Sequence, residues 1–400
     1  DDEEFGVRAR TLGDVLSLLA RSGPVTAALL LLLTGAPAAN AQTIEDQQWH
    51  LNALKIYEAQ RISRGEGVVV GVVDSGVDKT RPDLADAVLP GTGFDTAKGS
   101  DGTVDNDGHG TAMATLIAGR GIDGGALGIA PKAKILPVAG SSEGKKFTTG
   151  AVAQGIIWAA DHGAKVINLS LVADSNMTPN MLQAVNYAMD RDVVLVAGTG
   201  NEGEHRVGAP ANIRGVIAVA GTTEQGGPWK YSNAGPPTVL AAPAEHIVTA
   251  VPAAVSRTGY VRIDGTSAST ALVSGVAALV RARFPEMSAA NVVNRLMITA
   301  TDLLQPGRDD ATGFGMVNPV GALTANVAAV TRNPLSPPER TSTANTSATP
   351  GATPPPTPIA AQPPGTSAPR RGLVAGLGLL ATLLASGLVI TCFARRTSGA

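Results

Sequence analysis

The feature that most limits the fold is an unbroken apolar run at residues 68–73, Val-Val-Val-Gly-Val-Val. A strand with one solvent-exposed face alternates apolar and polar residues. A continuous run of β-branched residues is typical of a strand that is buried on both faces. The turn-forming residues Asp74-Ser75-Gly76 end the run. The run therefore predicts a central strand of a parallel sheet that is covered on both sides.

Strand-like and helix-like segments alternate after this first strand. Strands are predicted at 134–138, 165–169, 193–197, 216–220, 239–242, 247–251 and 259–263. Helices are predicted from residue 110 and over 147–162, 180–191, 268–284 and 288–299. This alternation predicts an α/β fold of three layers, with a mainly parallel sheet flanked by helices on both faces. No repeat at a period of 20 to 50 residues is evident.

The first 41 residues have the pattern of an export signal. Arg8, Arg10 and Arg21 precede an apolar run at 25–33, and the small-x-small sequence Ala39-Asn40-Ala41 follows it. This order predicts a secretory signal peptide over 1–41; the alternative is a short buried helix. Residues 42–66 then form a short N-terminal extension, with a helix expected at 48–59, ahead of a main domain over 67–332.

The C-terminal end has a composition unlike that of the main domain. Residues 333–371 are rich in Pro, Thr, Ser and Ala, which predicts an extended linker. Residues 372–394 carry no charge and are long enough for one transmembrane helix. Arg395-Arg396 in the tail, 395–400, fits a cytoplasmic end. The sequence thus predicts a single-pass cell-membrane protein whose main domain lies outside the cytoplasm.

Charge and cysteine content narrow the choice of partners. The chain has 31 Lys and Arg against 33 Asp and Glu, so no basic excess favours a nucleic-acid partner. The single cysteine, Cys392, excludes an intrachain disulfide. Thr103, Asp105, Asp107 and Gly108 lie near EF-hand spacing, but Ala114 stands where calcium needs a bidentate Glu. We therefore expect a solvated acidic loop there, and no metal or other cofactor.

Ser267 lies in Gly265-Thr-Ser, at the start of a helix that is apolar on nearly every side. It has two interpretations, as a helix N-cap or as a nucleophile beside the free first-turn amides. Asp74 follows the first strand, where open α/β sheets place their sites, although alone it could be a turn residue. His109 lies in Asp107-Gly-His-Gly-Thr111 at another helix start, where a turn or cap role is the alternative.

These residue types together supply the parts of acyl transfer. A serine hydroxyl needs a neutral imidazole to take its proton, and a carboxylate holds that imidazole in one tautomer. Asn201 follows the strand predicted at 193–197 and could donate its amide to an oxyanion. The alternative for Asn201 is a turn residue in the left-handed conformation. The remaining histidines lack such a context and are interpreted as surface or structural residues: His50, His162, His205 and His246.

Six ordered segments resemble the subtilisin-like serine proteases: 72–78, 107–111, 128–131, 167–170, 200–203 and 265–269. The resemblance covers about residues 65 to 320, and the order Asp, His, Ser is that of subtilisin. It implies a triad and an oxyanion hole made by Asn201 with the backbone N–H of Ser267. The residues implied for the triad are Asp74, His109 and Ser267. Those implied to flank the substrate are Ser170, Leu171, Val172, Ala197, Gly198 and Thr199.

The layout resembles one branch of that family, the mycosins of type VII secretion systems. Gln48-Trp-His-Leu51 and Arg81-Pro-Asp-Leu84 also resemble this branch. The resemblance implies a polypeptide substrate, an acyl-enzyme mechanism, and association with a type VII secretion membrane complex. The alternative function is a structural component of that machinery. An esterase would more typically present its nucleophile in a Gly-x-Ser-x-Gly elbow with the catalytic His last in chain order, whereas Ser267 lies in Gly-Thr-Ser-Ala-Ser and His109 precedes it.

The chain departs from the family at several positions. Ala268 and Ala271 stand where many subtilases have Met and Pro, and Val172 stands where Gly is common. The part outside the membrane has no Cys, whereas mycosins often carry disulfides. We expect these changes to affect substrate preference and catalytic efficiency more than activity itself, because no reacting group is lost.

Overall fold

The computed structural model describes residues 42–140, 147–171 and 178–336. Val172, the predicted signal peptide, most of the linker, and the predicted transmembrane helix and tail lie outside these ranges. Within the described ranges, no helix is both long and apolar enough to cross a bilayer.

The described residues form a seven-stranded sheet and a two-stranded sheet. In chain order the strands are β1 (Val69–Asp74), β2 (Thr92–Gly93), β3 (Lys134–Ala139), β4 (Val166–Leu169), β5 (Val194–Gly198), β6 (Ile217–Thr222), β7 (Thr238–Pro243), β8 (Ile247–Ala250) and β9 (Tyr260–Ile263). The large sheet has the order β2-β3-β1-β4-β5-β6-β7, and its paired strands are parallel. The mainly parallel sheet is therefore confirmed, with β8 and β9 as an antiparallel pair beside it.

The helices are α1 (Trp49–Ala53), α2 (Ile56–Gln60), α3 (His109–Ala118), α4 (Thr149–Asp161), α5 (Pro179–Asp190), α6 (Thr266–Arg283), α7 (Ala289–Ile298) and α8 (Pro319–Thr324). Four of them begin after a residue whose side chain accepts a first-turn amide: Thr148, Thr178, Ser288 and Asn318. Such caps satisfy N–H groups that have no partner inside the helix, so the helix starts at a defined residue.

Strand β1 lies where the order of the sheet reverses. It pairs with β3 on one side and β4 on the other, so Val70 lies between Ile135 and Val166. The chain after β1 therefore first goes to one side of the sheet and later crosses to the other. A crevice opens at the carboxyl end of a strand in this position, and open α/β sheets bind their ligands there. Asp74 is the last residue of β1.

Helices cover both faces of β1. Gly71 and Val73 lie against α4, at Ala159 and Gly155. Successive residues of a strand point to opposite faces, so Asp74 points away from α4. It meets His109 at the start of α3. Helices α4 and α5 contact each other, and α3 contacts α6, which completes the two outer layers.

The predicted elements and the observed ones differ mainly at their ends. The helix expected at 48–59 is two short helices, because Lys55 adopts the left-handed conformation between them. Helix α6 starts at Thr266 rather than at residue 268. The two-residue strand β2 and the six-residue α8 were not predicted.

The segment 42–66 is packed into the main domain. Leu51 and Ile56 are fully buried, and the Gln48 side chain is 1% exposed. The Gln48 amide donates to Leu127 O (3.1 Å) and Val248 O (3.2 Å), and its oxygen accepts from Leu127 N–H (2.8 Å). These bonds join the extension to the loop after α3 and to β8.

Candidate active site

Asp74 and His109 form a buried hydrogen-bonded pair at the carboxyl end of β1. His109 Nδ1 lies 2.8 Å from Asp74 Oδ1 and 2.9 Å from Oδ2. The Asp74 side chain is fully buried, whereas the imidazole is 35% exposed. Gly110 permits this approach, because a Cβ there would overlap the carbonyl oxygen of Gly76. The pair thus has one end in the core and one end at the protein surface.

The charges around His109 favour its protonated form. Burial is the largest single influence and disfavours the cation. The charge and hydrogen bond of Asp74, with the charges of Asp107 and Asp105, outweigh burial and raise the pKa of His109 to about 9. The imidazole must lose this proton before it can accept one from a nucleophile.

Asp105 holds the start of α3 in place. Its Oδ1 accepts from Ser75 Oγ (2.9 Å), Gly108 N–H (2.9 Å) and Asp107 N–H (3.1 Å). Its Oδ2 accepts from Thr111 N–H (2.9 Å) and Thr111 Oγ1 (2.6 Å). Asp105 is only 4% exposed, so the expectation of a solvated loop is wrong at this residue. Five donors, three of them backbone amides ahead of or inside the helix, account for the burial of its charge.

Ser75 connects the Asp74 strand end to the His109 helix. Its N–H donates to Asp74 Oδ1 (2.8 Å), and its hydroxyl donates to Asp105 and accepts from Gly110 N–H (2.9 Å). The pattern Asp-x-Asp-Gly ahead of the helix could have indicated a capping role for Asp105. Its partner Ser75 is 30 residues away in sequence, and no local pattern indicates it. Within the described parts of the chain, no group of three or more His, Cys, Asp or Glu is arranged to hold a metal ion.

Ser267 lies in the first turn of α6, one residue after its start. Gly265 is the N-cap residue, and the Ser267 hydroxyl donates to Ser170 O (3.2 Å) instead of accepting a helix amide. The N-cap interpretation of Ser267 is therefore wrong. Between these described residues, no hydrogen bond joins Ser267 Oγ to His109. The hydroxyl has to rotate away from Ser170 O before it can donate to the imidazole.

Buried polar side chains tie the start of α6 to strand β4. Ser170 Oγ donates to Ser267 O (2.9 Å) and accepts from Asn168 Nδ2 (2.9 Å). Asn168 Oδ1 accepts from Ser274 Oγ (3.0 Å), two turns further along α6. Asn168 and Ser274 are fully buried, and Ser170 is 3% exposed. Since unpaired polar atoms in a core are costly, this network fixes where α6 lies against the strand.

Asn201 supplies the cap that α6 otherwise lacks. Its side-chain oxygen accepts from Thr266 N–H (2.9 Å) and Thr266 Oγ1 (2.9 Å). A backbone N–H can only donate, so this contact fixes which end of the carboxamide is oxygen. The NH₂ end is thereby turned away from Thr266. Asn201 does not have positive φ, so a left-handed turn does not explain it.

The predicted substrate-flanking residues at 197–199 lie beside the start of α6. Ala197 and Gly198 end β5, and Ala197 pairs with Leu169 of β4. Gly198 faces the side chains of Thr266 and Thr270. Thr199 is fully buried and donates its N–H to Val219 O (3.0 Å). Leu171 is 8% exposed, and Val172 lies outside the described residues.

Comparisons with known proteins identify the family to which the chain is related. The sequence profile of the Subtilase family matches residues 65–315. M-protease of Shouchella clausii (strain KSM-K16) is 35% identical over 254 residues, which are 64% of this chain and 63% of that protein. The chain thus spans less than two thirds of that relative. Mycosin-1 of Mycolicibacterium smegmatis (strain ATCC 700084 / mc(2)155) is 33% identical over 334 residues, with 70% of this chain and 73% of the relative covered.

A solved structure is similar as well. It is that of the serine protease MycP1, an essential component of the type VII (ESX-1) secretion system. The TM-score is 0.61 at 31% identity, and the match covers 71% of this chain and 90% of that one.

Proposed function

The chain belongs to the subtilase family of peptidases, and on that premise we propose that it is a serine endopeptidase with Asp74, His109 and Ser267 as its triad. The observation that carries this proposal is the contact between the buried Asp74 carboxylate and His109 Nδ1 (2.8 Å). It leaves Nε2 as the nitrogen that can serve Ser267. Asp74 fixes this tautomer and stabilises the imidazolium that forms during the reaction.

Acylation starts when the Ser267 hydroxyl turns from Ser170 O toward neutral His109. Oγ attacks the carbonyl carbon of the scissile peptide bond while Nε2 takes the hydroxyl proton. The carbonyl oxygen becomes an oxyanion. The Asn201 amide and the backbone N–H of Ser267 donate hydrogen bonds to it. When the intermediate collapses, the C–N bond breaks and His109 gives its proton to the leaving amine.

Deacylation repeats these steps with water. His109 removes a proton from water, the hydroxide attacks the acyl carbon, and the proton returns to Ser267 Oγ as the ester bond breaks. The substrate is a polypeptide chain. It lies between the segments that contain Ser170 and Gly198, because these two residues contact Ser267 and Thr266 at the start of α6.

Covalent labelling of the full chain by a fluorophosphonate probe tests this mechanism. The wild-type protein and a surface control, Ser100→Ala, should take up one probe molecule each. Ser267→Ala should take up none while keeping the wild-type melting temperature. Absence of label on folded wild-type protein would refute the serine-protease proposal.

We further propose that the enzyme is anchored in the cell membrane by residues 372–394, with the protease domain outside the cytoplasm. There it processes secreted proteins in association with a type VII secretion system. Two relatives support this context: Mycosin-1 and MycP1, the latter a component of such a system. The linker at 333–371 would give the domain reach above the membrane.

A structural role in the secretion machinery is the second candidate function. It would need the fold but not the chemistry, and the relation to MycP1 favours it. Complementation of a deletion strain separates the two. If Ser267→Ala restores secretion of all substrates, scaffolding is sufficient; if only the wild-type chain does, proteolysis is required. Detergent extraction of membranes from strains with and without residues 372–394 tests the anchor.

A further inference from the structure

Asn233 is a buried asparagine outside the proposed catalytic set, in the segment between β6 and β7. It is 4% exposed. Its side-chain oxygen accepts from Glu202 N–H (3.1 Å) and from Glu204 N–H (2.9 Å). Its own backbone N–H donates to Gly200 O (3.0 Å). Asn233 therefore contacts the loop that carries Asn201 on both sides of that residue.

The NH₂ end of Asn233 completes the arrangement. It donates to Glu202 Oε2 (2.7 Å), and the same oxygen accepts from Asn201 N–H (3.0 Å). The Asn201 backbone is thus held by the Glu202 carboxylate, which Asn233 holds in turn. Gly200 leaves room for this contact, because a Cβ there would overlap Asn233 Nδ2.

Asn201 is consequently fixed at two points. Its side-chain oxygen is held by Thr266 at the start of α6, and its N–H by Glu202. Asn201 and Glu202 are exposed and lie in a loop without regular secondary structure, so little packing holds them. An oxyanion donor works only when it is aimed before the reaction, because reorienting it during the reaction costs free energy. Asn233 is the buried residue that can fix the orientation of the Asn201 amide, through Glu202.

We propose that Asn233 is a positioning residue for the oxyanion hole, acting through Glu202 on Asn201. Asn233 does not touch the substrate, and its effect reaches the reaction only through the Asn201 amide. This inference rests on the proposed peptidase activity. It predicts a loss in kcat with KM nearly unchanged, since the oxyanion forms only in the transition state.

A double-mutant cycle on the full chain tests the proposal with a chromogenic peptide substrate. Asn201→Ala should lower kcat by roughly a hundredfold to a thousandfold. Asn233→Ala should lower kcat by about tenfold to a hundredfold, the effect of a misplaced group. In the Asn201→Ala background, Asn233→Ala should have no further effect on kcat, because the group it positions is gone.

Two further variants separate positioning from general stability. Asn294→Ala removes another buried asparagine, whose amide donates to Ala328 O (3.1 Å). It should lower the melting temperature but leave kcat as in the wild type. Glu202→Ala removes the connecting carboxylate from the surface. It should reproduce the kcat loss even if Asn233→Ala fails to fold.

The outcomes are distinct. The inference would be overturned, with the peptidase proposal intact, if the kcat losses multiply in the double variant. This applies to Asn201→Ala combined with Asn233→Ala and to Asn201→Ala combined with Glu202→Ala. A change confined to KM would also overturn the inference. Wild-type protein that folds but neither turns over substrate nor takes a fluorophosphonate label would overturn the peptidase proposal and this inference with it.

Discussion

Both carboxylate oxygens of Asp74 lie within 2.9 Å of His109 Nδ1, although Asp74 is fully buried and the imidazole is one-third exposed. Because of this contact, the protonation of His109 depends on whether the protein is folded. In the unfolded chain His109 should titrate near 6.5, and in the folded chain its pKa is raised to about 9. On the proposed mechanism, the same pair therefore governs both activity and part of the pH dependence of stability.

We expect kcat/KM to rise with pH up to about 9. Only neutral His109 can take the Ser267 proton, and its pKa is raised to about 9 by the charges around it. The check is a pH profile of kcat/KM, with Asp74→Asn beside the wild type. The variant should lose about ten-thousandfold in kcat, and its remaining inflection should move to lower pH. An inflection at the same pH in both proteins would contradict this assignment.

Stability should change with pH in the opposite direction to activity, because the ion pair between Asp74 and His109 is lost as pH rises. Because the folded-state pKa of His109 is raised, the pair stabilises the fold fully below about 6.5, and the contribution disappears as pH rises to about 9. The free energy of unfolding of Asp74→Asn should thus fall less than that of the wild type over this range. Urea titrations at pH 6.5 and 9.5 measure the difference.

Asp105→Asn should disturb the base without touching the substrate. The Asp105 carboxylate accepts from five donors with two oxygens, whereas an asparagine side chain has only one acceptor oxygen. The substitution also removes a negative charge that raises the pKa of His109. We expect a lower maximal kcat/KM together with a low-pH limb shifted to lower pH. Asp101→Asn is the control, because that side chain is 52% exposed and is not one of the three carboxylates that raise the pKa of His109. A variant that lost activity with an unshifted profile would show Asp105 to be only structural.

Gly110→Ala should show whether Gly110 is needed for the close approach of α3 to β1, since alanine itself favours a helix more than glycine does. The added methyl group would overlap the Gly76 carbonyl, so α3 must move away from β1, at a cost of about 1–3 kcal/mol in the free energy of unfolding. Activity should fall at least tenfold, because His109 moves with the helix. Gly150→Ala in α4 has open space around its Cβ and should be neutral or stabilising by up to about 1 kcal/mol. Thermal melts and kcat/KM of both variants make the comparison.

His50 should make the protein acid-labile. It is fully buried, neither ring nitrogen has a hydrogen-bond partner in the described structure, and burial lowers its pKa to about 3. The unfolded chain binds a proton near 6.5 and the folded chain does not. Stability should therefore fall below pH 6.5 by up to about 1.4 kcal/mol per pH unit from this residue.

The test compares His50→Leu with His205→Leu. His205 has a side chain that is 71% exposed and should behave like the wild type. The slope of unfolding free energy against pH between 6.5 and 4.5 should be shallower in His50→Leu. An equal slope in all three proteins would exclude His50 as a source of acid lability.

The sheet could be predicted from sequence because each predicted strand is marked by its own short run of apolar residues. The valine-rich run that became β1 needs burial on both faces whatever its neighbours are, and the strands after it follow the same rule. Element ends were less accurate where a distant residue decides them. Helix α6 begins at Thr266 because Asn201, 65 positions earlier, caps its first turn.

The site was predictable as residue types but not as a hydrogen-bond network. Asp74, His109, Asn201 and Ser267 each stand at a strand end or helix start, which the sequence displays. The roles of Asp105 and Asn233 depend on partners from other parts of the chain, Ser75 and Glu202. An acidic or amide side chain in a loop is ordinarily solvated, so sequence alone favours the wrong environment for both.

The Gln48 side chain also bears on what backbone cleavage can do to this protein. Residues 42–60 are held by Gln48 at Leu127 and Val248, and by Gln60 at Gly128 and Ile129. None of these contacts needs the peptide bond that joins the segment to the rest. A cut at the exposed Arg61 would leave two complementary fragments that stay assembled. After such a nick, the segment would remain bound to the domain as a noncovalent partner.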